Sequence, residues 1–159
     1  MPRISRIAIY DLDGTVIDST HRYRTIVGPD RIERIDLDYW RANEHKAFDD
    51  SLLPLHRQYL MDILDPSCYV IVATARVMGD ADWRFVREKL GVPDQFISRA
   101  PGETTSGGLL KIRGLCKILN LKQFQGIPAV FYEDNVHYLK AVCDHFNIRG
   151  VYVPSKQGH

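Results

Sequence analysis

Apolar and polar positions divide the chain into short apolar runs and stretches of helical period. Ile7-Ala8-Ile9-Tyr10 and Cys68-Tyr69-Val70-Ile71-Val72-Ala73 are near-continuous apolar runs, the pattern of strands covered on both faces in a parallel sheet. Gln95 to Ser98, Ala129 to Tyr132 and Gly150 to Val153 predict three further strands. Pro54 to Leu64 reads as a helix with proline in its first turn and Asp65-Pro66 as its stop. Asp80 to Leu90 is a second, with Trp83, Val86 and Leu90 on one stripe and Gly91 ending it. Ile112, Leu115, Cys116 and Leu119 have the spacing of one buried helical face, which places Lys111 in that helix's first turn after a loop from Arg99 to Gly108. Asn135 suits the N-cap of a last helix carrying Leu139, Val142, Cys143 and Phe146. Strands alternating with helices predict an open parallel α/β sheet of about five strands with flanking helices. Val16 to Asp50 has no long apolar period and is longer than a crossover needs, so a small cap insertion at about 16–50 is expected over the first strand's end.

Composition narrows the class. A chain of 159 residues with 45% hydrophobic content suits one domain, 1–159, around one core. There is no apolar run long enough to span a bilayer, and Met1 to Arg6 leads straight into a strand. The expectation is a soluble, cytoplasmic protein with no membrane partner. Cys68, Cys116 and Cys143 are odd in number and set in apolar segments, which predicts buried reduced thiols. The formal net charge of +1 neither suggests nor excludes nucleic acid, and nothing in the pattern sets the oligomeric state.

Candidate chemistry gathers at the strand ends, where open α/β sheets bind ligands. Asp11 and Asp13 are two apart, so an extended backbone projects both to one face, on the order of 7 Å apart. Thr74, Ala75 and Arg76 follow the second strand, and Glu133 and Asp134 follow the fourth. Four carboxylates offer hard oxygen ligands suited to Mg²⁺ with a retained substrate phosphate, and no His or Cys among them favours zinc. With a hydroxyl, Lys111 and Arg76 added, the set can surround a dianion with a metal and fixed positive charge, which fits phosphoryl transfer.

The order DLDGT, VIVATAR, Lys111 and FYEDN resembles the four motifs of the haloacid dehalogenase superfamily of phosphatases, and the likeness spans nearly the whole chain. A closer likeness, carried by looser matches, is to the phosphatase half of bacteriophage polynucleotide kinase-phosphatases and their stand-alone relatives. It rests on Ser19-Thr20-His21-Arg22-Tyr23, Asp38-Tyr39-Trp40, Ala75-Arg76 and Arg99-Ala100-Pro101-Gly102-Glu103. Thr74-Ala75-Arg76 departs from the glycine usual before the arginine, Glu133 stands where an aspartate is usual, and the kinase's phosphate-binding loop is absent. The resemblance implies a Rossmann-like sheet and Mg²⁺-dependent phosphomonoester hydrolysis through an aspartyl-phosphate. It implies that Asp11 is the nucleophile and Asp13 the acid–base, with Asp13's pKa raised by Asp11's crowding. Thr74 and Lys111 would hold the phosphoryl oxygens, with Ala75, Arg76 and Arg22 binding substrate. Mg²⁺ would sit on Asp11, the Asp13 carbonyl and Asp134, with Glu133 as an outer ligand.

The closer likeness, together with His21, Arg22, Arg24, Arg76, Arg84, Arg87 and Arg99, points to a 3′-phosphate on a nucleotide or nucleic acid end. Tyr23, Tyr39 and Trp40 are candidate stacking surfaces for a base. A phosphatase of 5′-nucleotides or other small esters is the alternative. An inactive binding module of the same fold is the alternative from another class.

Overall fold

The computed structural model describes residues 3–22 and 24–155. Its strands and helices in chain order are β1 (Arg6–Tyr10), β2 (Ile17–Asp18), β3 (Thr25–Val27), β4 (Glu33–Ile35), α1 (Leu37–Ala42), β5 (Ser51–Leu52), α2 (His56–Leu64), β6 (Cys68–Val77), α3 (Asp80–Phe85), β7 (Gln95–Arg99), α4 (Gly107–Leu119), β8 (Ala129–Glu133), α5 (Val136–Phe146) and β9 (Arg149–Tyr152).

The central sheet has the order β7-β6-β1-β8-β9 and all its pairings are parallel. This is the expected five-stranded open α/β sheet. The strand that ends in Asp11 and Asp13 is its middle strand, flanked by the two others with reactive ends. Alternation along β1 divides the core. Ala8 and Tyr10 join Val70, Val72, Tyr59, Phe85 and Leu90 on one face, and Leu12 continues the same face beyond the ladder. Ile7 and Ile9 join Ile71, Leu115, Phe131 and Val142 on the other. Both faces are therefore covered by helices, which is why the runs read as continuously apolar.

Several local expectations change. The second strand extends past Ala73 to Val77, so Thr74, Ala75 and Arg76 lie within β6 and not beyond it. Its ladder with β7 shifts register between Ala73 and Val77, an irregularity of the kind that re-aims side chains beside active sites. The helix begun by α3 passes into a π-helical turn at Val86–Leu90, and Phe85 is buried beside Val86 and Leu90. Helix α4 begins at Gly107, inside the predicted loop, so Lys111 falls past the first turn. The buried side of α4 carries Leu110, Lys111, Leu115 and Ile118, which is rotated from the predicted stripe because Lys111 turns inward. Cys68 is buried, whereas Cys116 and Cys143 are only half-buried, and all three are free thiols.

The segment from Val16 to Asp50 is folded. At its base β2 pairs antiparallel with β5, and β3 with β4 forms a separate hairpin. Asp36 caps α1 by accepting from the Tyr39 amide. A 3₁₀ segment, Glu44–Asp49, packs against α3 and lays the half-buried Phe48 against the core. Among the described residues no helix is long and apolar enough to cross a membrane.

Phe131 is fully buried and Leu64 is 80% exposed. Phe131→Ala is expected to lower the unfolding free energy in urea by about 3–5 kcal/mol. Leu64→Ala should change it by less than about 0.5 kcal/mol.

Candidate active site

Asp11 sits one residue past β1, and its amide still bonds the Tyr132 carbonyl of β8. Its carboxylate is held on both oxygens: Thr15 Oγ1 donates to Oδ2 at 2.9 Å and Lys111 Nζ to Oδ1 at 2.7 Å. The same ammonium donates to Glu133 Oε1 at 2.6 Å. Lys111 is 1% exposed, although a lysine early in a helix is ordinarily solvated. Burial alone would lower its pKa, but the charges of Asp11 and Glu133 outweigh that and hold it above its ordinary value.

Gly14 then turns the chain with φ of +78°, and a Cβ there would lie 2.1 Å from Asp134 Oδ2. Glycine is thus required both for the turn and for the approach of Asp134. Carboxylate oxygens of Asp11, Glu133 and Asp134 lie within 4.8 Å of one another, with no His or Cys in the group. Neither buried oxygen of Asp134 meets a hydrogen-bond donor at bonding geometry among the described residues. One ammonium, bonded to two of these carboxylates, thus stands in a cluster of three. Burial opposes ionisation of Asp11, yet Lys111 keeps its pKa low. Burial and then the charge of Asp11 raise Glu133 well above its ordinary range and push Asp134 up to about 8. An oxygen-only, under-compensated cluster fits a hard divalent cation such as Mg²⁺.

Asp13 belongs to a different set of partners. Its Oδ1 accepts from Ser19 Oγ at 2.8 Å. Arg76 grips both of its oxygens, through Nη2 and through Nε at 3.2 Å. The bidentate contact expected between Arg76 and phosphate is made with Asp13 instead. Asp11's crowding is accordingly not Asp13's sole electrostatic influence, since a guanidinium lies against it. Arg22, expected at the substrate, is 1% exposed and bonds Asp50 through Nε at 2.8 Å and Nη2 at 3.1 Å. Its guanidinium lies against the Trp40 ring, at 4.2 Å from the centroid. These two corrections share one cause: each arginine finds a buried carboxylate within reach, and leaving that carboxylate unpaired would be costly.

A cleft of about 540 Å³ opens over these groups. Asp11, Asp13, Thr74, Ala75, Arg76 and Lys111 line its floor. The insertion contributes Ile35, Leu37, Trp40, Arg41 and Glu44, and Tyr138 lines it from α5. Thr74 Oγ1 accepts the Arg76 amide at 3.2 Å. Arg99 donates to the carbonyls of Ala75, Glu103 and Thr105 at 2.8, 2.9 and 2.6 Å, tying the following loop to β6. Arg22 is not on the cleft wall, and Glu133 and Asp134 reach the site through Asp11. Of the three candidate stacking rings, Trp40 lines the cleft, Tyr39 lies under Arg24 at 4.5 Å, and Tyr23 lies outside the described residues. Sequence reasoning missed Arg41 and Glu44, which only the docking of the insertion brings to the strand ends, and Tyr138, which α5 carries there from the end of β8.

Residues 1–99 match the family described as Bacteriophage T5 5′-deoxynucleotidase. The chain belongs to that family. The 5′-deoxynucleotidase of Escherichia phage T5 is 36% identical over 93 residues, 55% of this chain, and the matched stretch spans 36% of that relative's length. The family match over residues 1–99 takes in β1, Asp11, Asp13, the insertion and β6. The structure described as "Structure of the Pnkp1/Rnl/Hen1 RNA repair complex" aligns over 96% of this chain and 43% of that one, with a TM-score of 0.66 and 18% identity. A haloacid dehalogenase-like hydrolase, SP0104 from Streptococcus pneumoniae, aligns over 98% and 89%, with a TM-score of 0.63 and 14% identity. At such identities the likeness is one of fold, and the fold is that of the haloacid dehalogenase superfamily.

The raised pKa of Asp134 fixes a sign. Its folded value of about 8 stands above the ordinary carboxylate value of 3.8. The folded state therefore binds the extra proton between those limits, and this group's contribution to stability falls as pH rises through that window. In chelator, the melting temperature of the wild type should decline from pH 5 to pH 8 more steeply than that of Asp134→Asn. Mg²⁺ should raise the wild-type melting temperature more at pH 8 than at pH 5. Parallel pH profiles of the two proteins would contradict the assignment.

Proposed function

We propose that the chain is a Mg²⁺-dependent phosphatase that removes the 5′-phosphate of deoxynucleoside monophosphates through an aspartyl-phosphate. The observation that carries this reading is the convergence of Asp11, Asp13, Thr74 and Lys111 on the floor of one cleft whose wall is made by the insertion. The family's description, and that of the phage T5 relative, favour a 5′-deoxynucleotide as substrate.

An Asp11 carboxylate oxygen attacks phosphorus as the bond to the leaving oxygen breaks, and Asp13 gives that oxygen its proton. Asp13 then takes a proton from water as it attacks phosphorus, and the bond to Asp11 breaks to release phosphate. Lys111 holds Asp11 ionised and aimed, and Thr74 faces the phosphoryl oxygens. Asp11, Asp134 and the Asp13 carbonyl would hold Mg²⁺, with Glu133 behind them. When bound, the ion supplies positive charge to the phosphoryl oxygens.

The insertion serves as the cap over the site. Its Ile35, Leu37 and Trp40 give the cleft an apolar wall suited to a nucleoside, with Arg41 and Glu44 as polar contacts. The 3′-end reading rested on the closer likeness and on a set of basic residues near the active edge, and the engagement of those arginines counts against it. Arg22, Arg76, Arg24 and Arg84 are each paired with a carboxylate, which leaves less unpaired basic surface to follow a polymer backbone.

Asp11→Asn is expected to abolish hydrolysis of deoxynucleoside 5′-monophosphates, by at least about a thousandfold, with an unchanged circular dichroism spectrum. Chelator should abolish wild-type activity without unfolding the protein. Turnover retained in either case would contradict the mechanism. Between substrates, kcat/KM on a deoxynucleoside 5′-monophosphate should exceed that on a 3′-phosphorylated oligonucleotide, with a shallow dependence on salt. The opposite ranking with a steep salt dependence would restore the 3′-end reading.

A further inference from the structure

The mechanism leaves unused a buried polar network beside the site, made of Asp50, Asp82 and Arg22 together with Arg76. We infer that Asp82 and Asp50 are positioning residues for Asp13, acting through Arg76. Helix α3 and the C-terminal end of the insertion then set the orientation of the group that protonates the leaving oxygen. This role rests on the phosphatase reading above.

The geometry is over-determined. A guanidinium has five N–H donors. Nε and Nη2 of Arg76 address Asp13, Nη1 addresses Asp82 Oδ1 at 2.5 Å, and Nη2 also lies 3.4 Å from Asp50 Oδ2. Little donor capacity remains for a phosphate. Asp82 is itself fixed, because its Oδ2 accepts the Gly79 amide at 2.8 Å across the first turn of α3. Asp50, whose side chain is fully buried, is fixed by both Arg22 donors and by His21 Nε2 at 2.8 Å. Arg22 also reaches to 3.7 Å from Asp82 Oδ1. Two guanidiniums are thus shared among three buried carboxylates, and only one of the three, Asp13, lines the cleft. An acid in the first turn of a helix is ordinarily explained by the helix dipole. That explanation does not account for Asp82 being 2% exposed and directed at Arg76.

A positioning role for the general acid makes a demand that a purely structural role does not. Proton donation matters for an alkoxide leaving group and hardly at all for dinitrophenolate, so loss of positioning should depend on the leaving group. Asp82→Asn should lower kcat/KM, which reports the step in which the leaving oxygen departs, at least about tenfold more on a deoxynucleoside 5′-monophosphate than on 2,4-dinitrophenyl phosphate. Asp82→Glu should recover part of the loss. Asp50→Asn, which touches Arg76 at the longer distance, should show the same selectivity to a smaller degree and serves as the test if Asp82→Asn does not fold. Equal losses of kcat/KM on the two esters, or no loss in either variant, would overturn the positioning role while leaving the phosphatase reading intact. A wild-type protein that cleaves neither ester would remove both.

Discussion

Two buried cations, Lys111 and Arg76, decide how this molecule is built around its first strand. Asp11 and Asp13 leave the middle strand of the sheet side by side, and burying two anions there is expensive unless each finds a positive partner. Lys111 arrives from α4 to hold Asp11, and Arg76 arrives from β6 to hold Asp13. The pair is thereby divided between two electrostatic settings, one for the proposed nucleophile and one for the proposed acid–base group. Acid and base duties are commonly separated by giving like groups unlike surroundings.

The two settings differ in what they still lack. On the Asp11 side one ammonium bonds two of a cluster of three carboxylates, and the surplus of negative charge appears in the raised Glu133 and Asp134. That surplus is what a divalent cation would neutralise. On the Asp13 side two guanidiniums meet three carboxylates, and half-exposed His21 stands at the rim through Asp50. The first cluster is open to a metal, whereas the second is closed on itself and ties the insertion to the sheet. The segment that walls the cleft therefore shares a hydrogen-bond network with Asp13, the proposed general acid.

Much of this was legible in the chain. The continuous apolar runs of β1 and β6, the helical spacing in α4 and α5, and the Asn135 cap are local patterns. A local pattern survives folding because the sheet it predicts is the environment that rewards it. The convergence of three strand ends was legible as well, since parallel topology places carboxyl ends along one edge. The inward turn of Lys111, the continuation of β6 through Thr74 to Val77 and the folding of the insertion were not. Each depends on a partner that lies elsewhere in the chain.

The sequence by itself determined the sheet, the order of the motifs, and which residues carry charge or a hydroxyl at its active edge. Tertiary structure alone decided which charge meets which. Arg76 and Asp13 are separated by 63 positions and Lys111 and Asp11 by 100, and no periodicity links residues so far apart. A buried ion pair is chosen by distance and desolvation once the backbone has closed. Hence Arg22 and Arg76, which as sequence read as ligands for phosphate, became partners of the protein's own carboxylates.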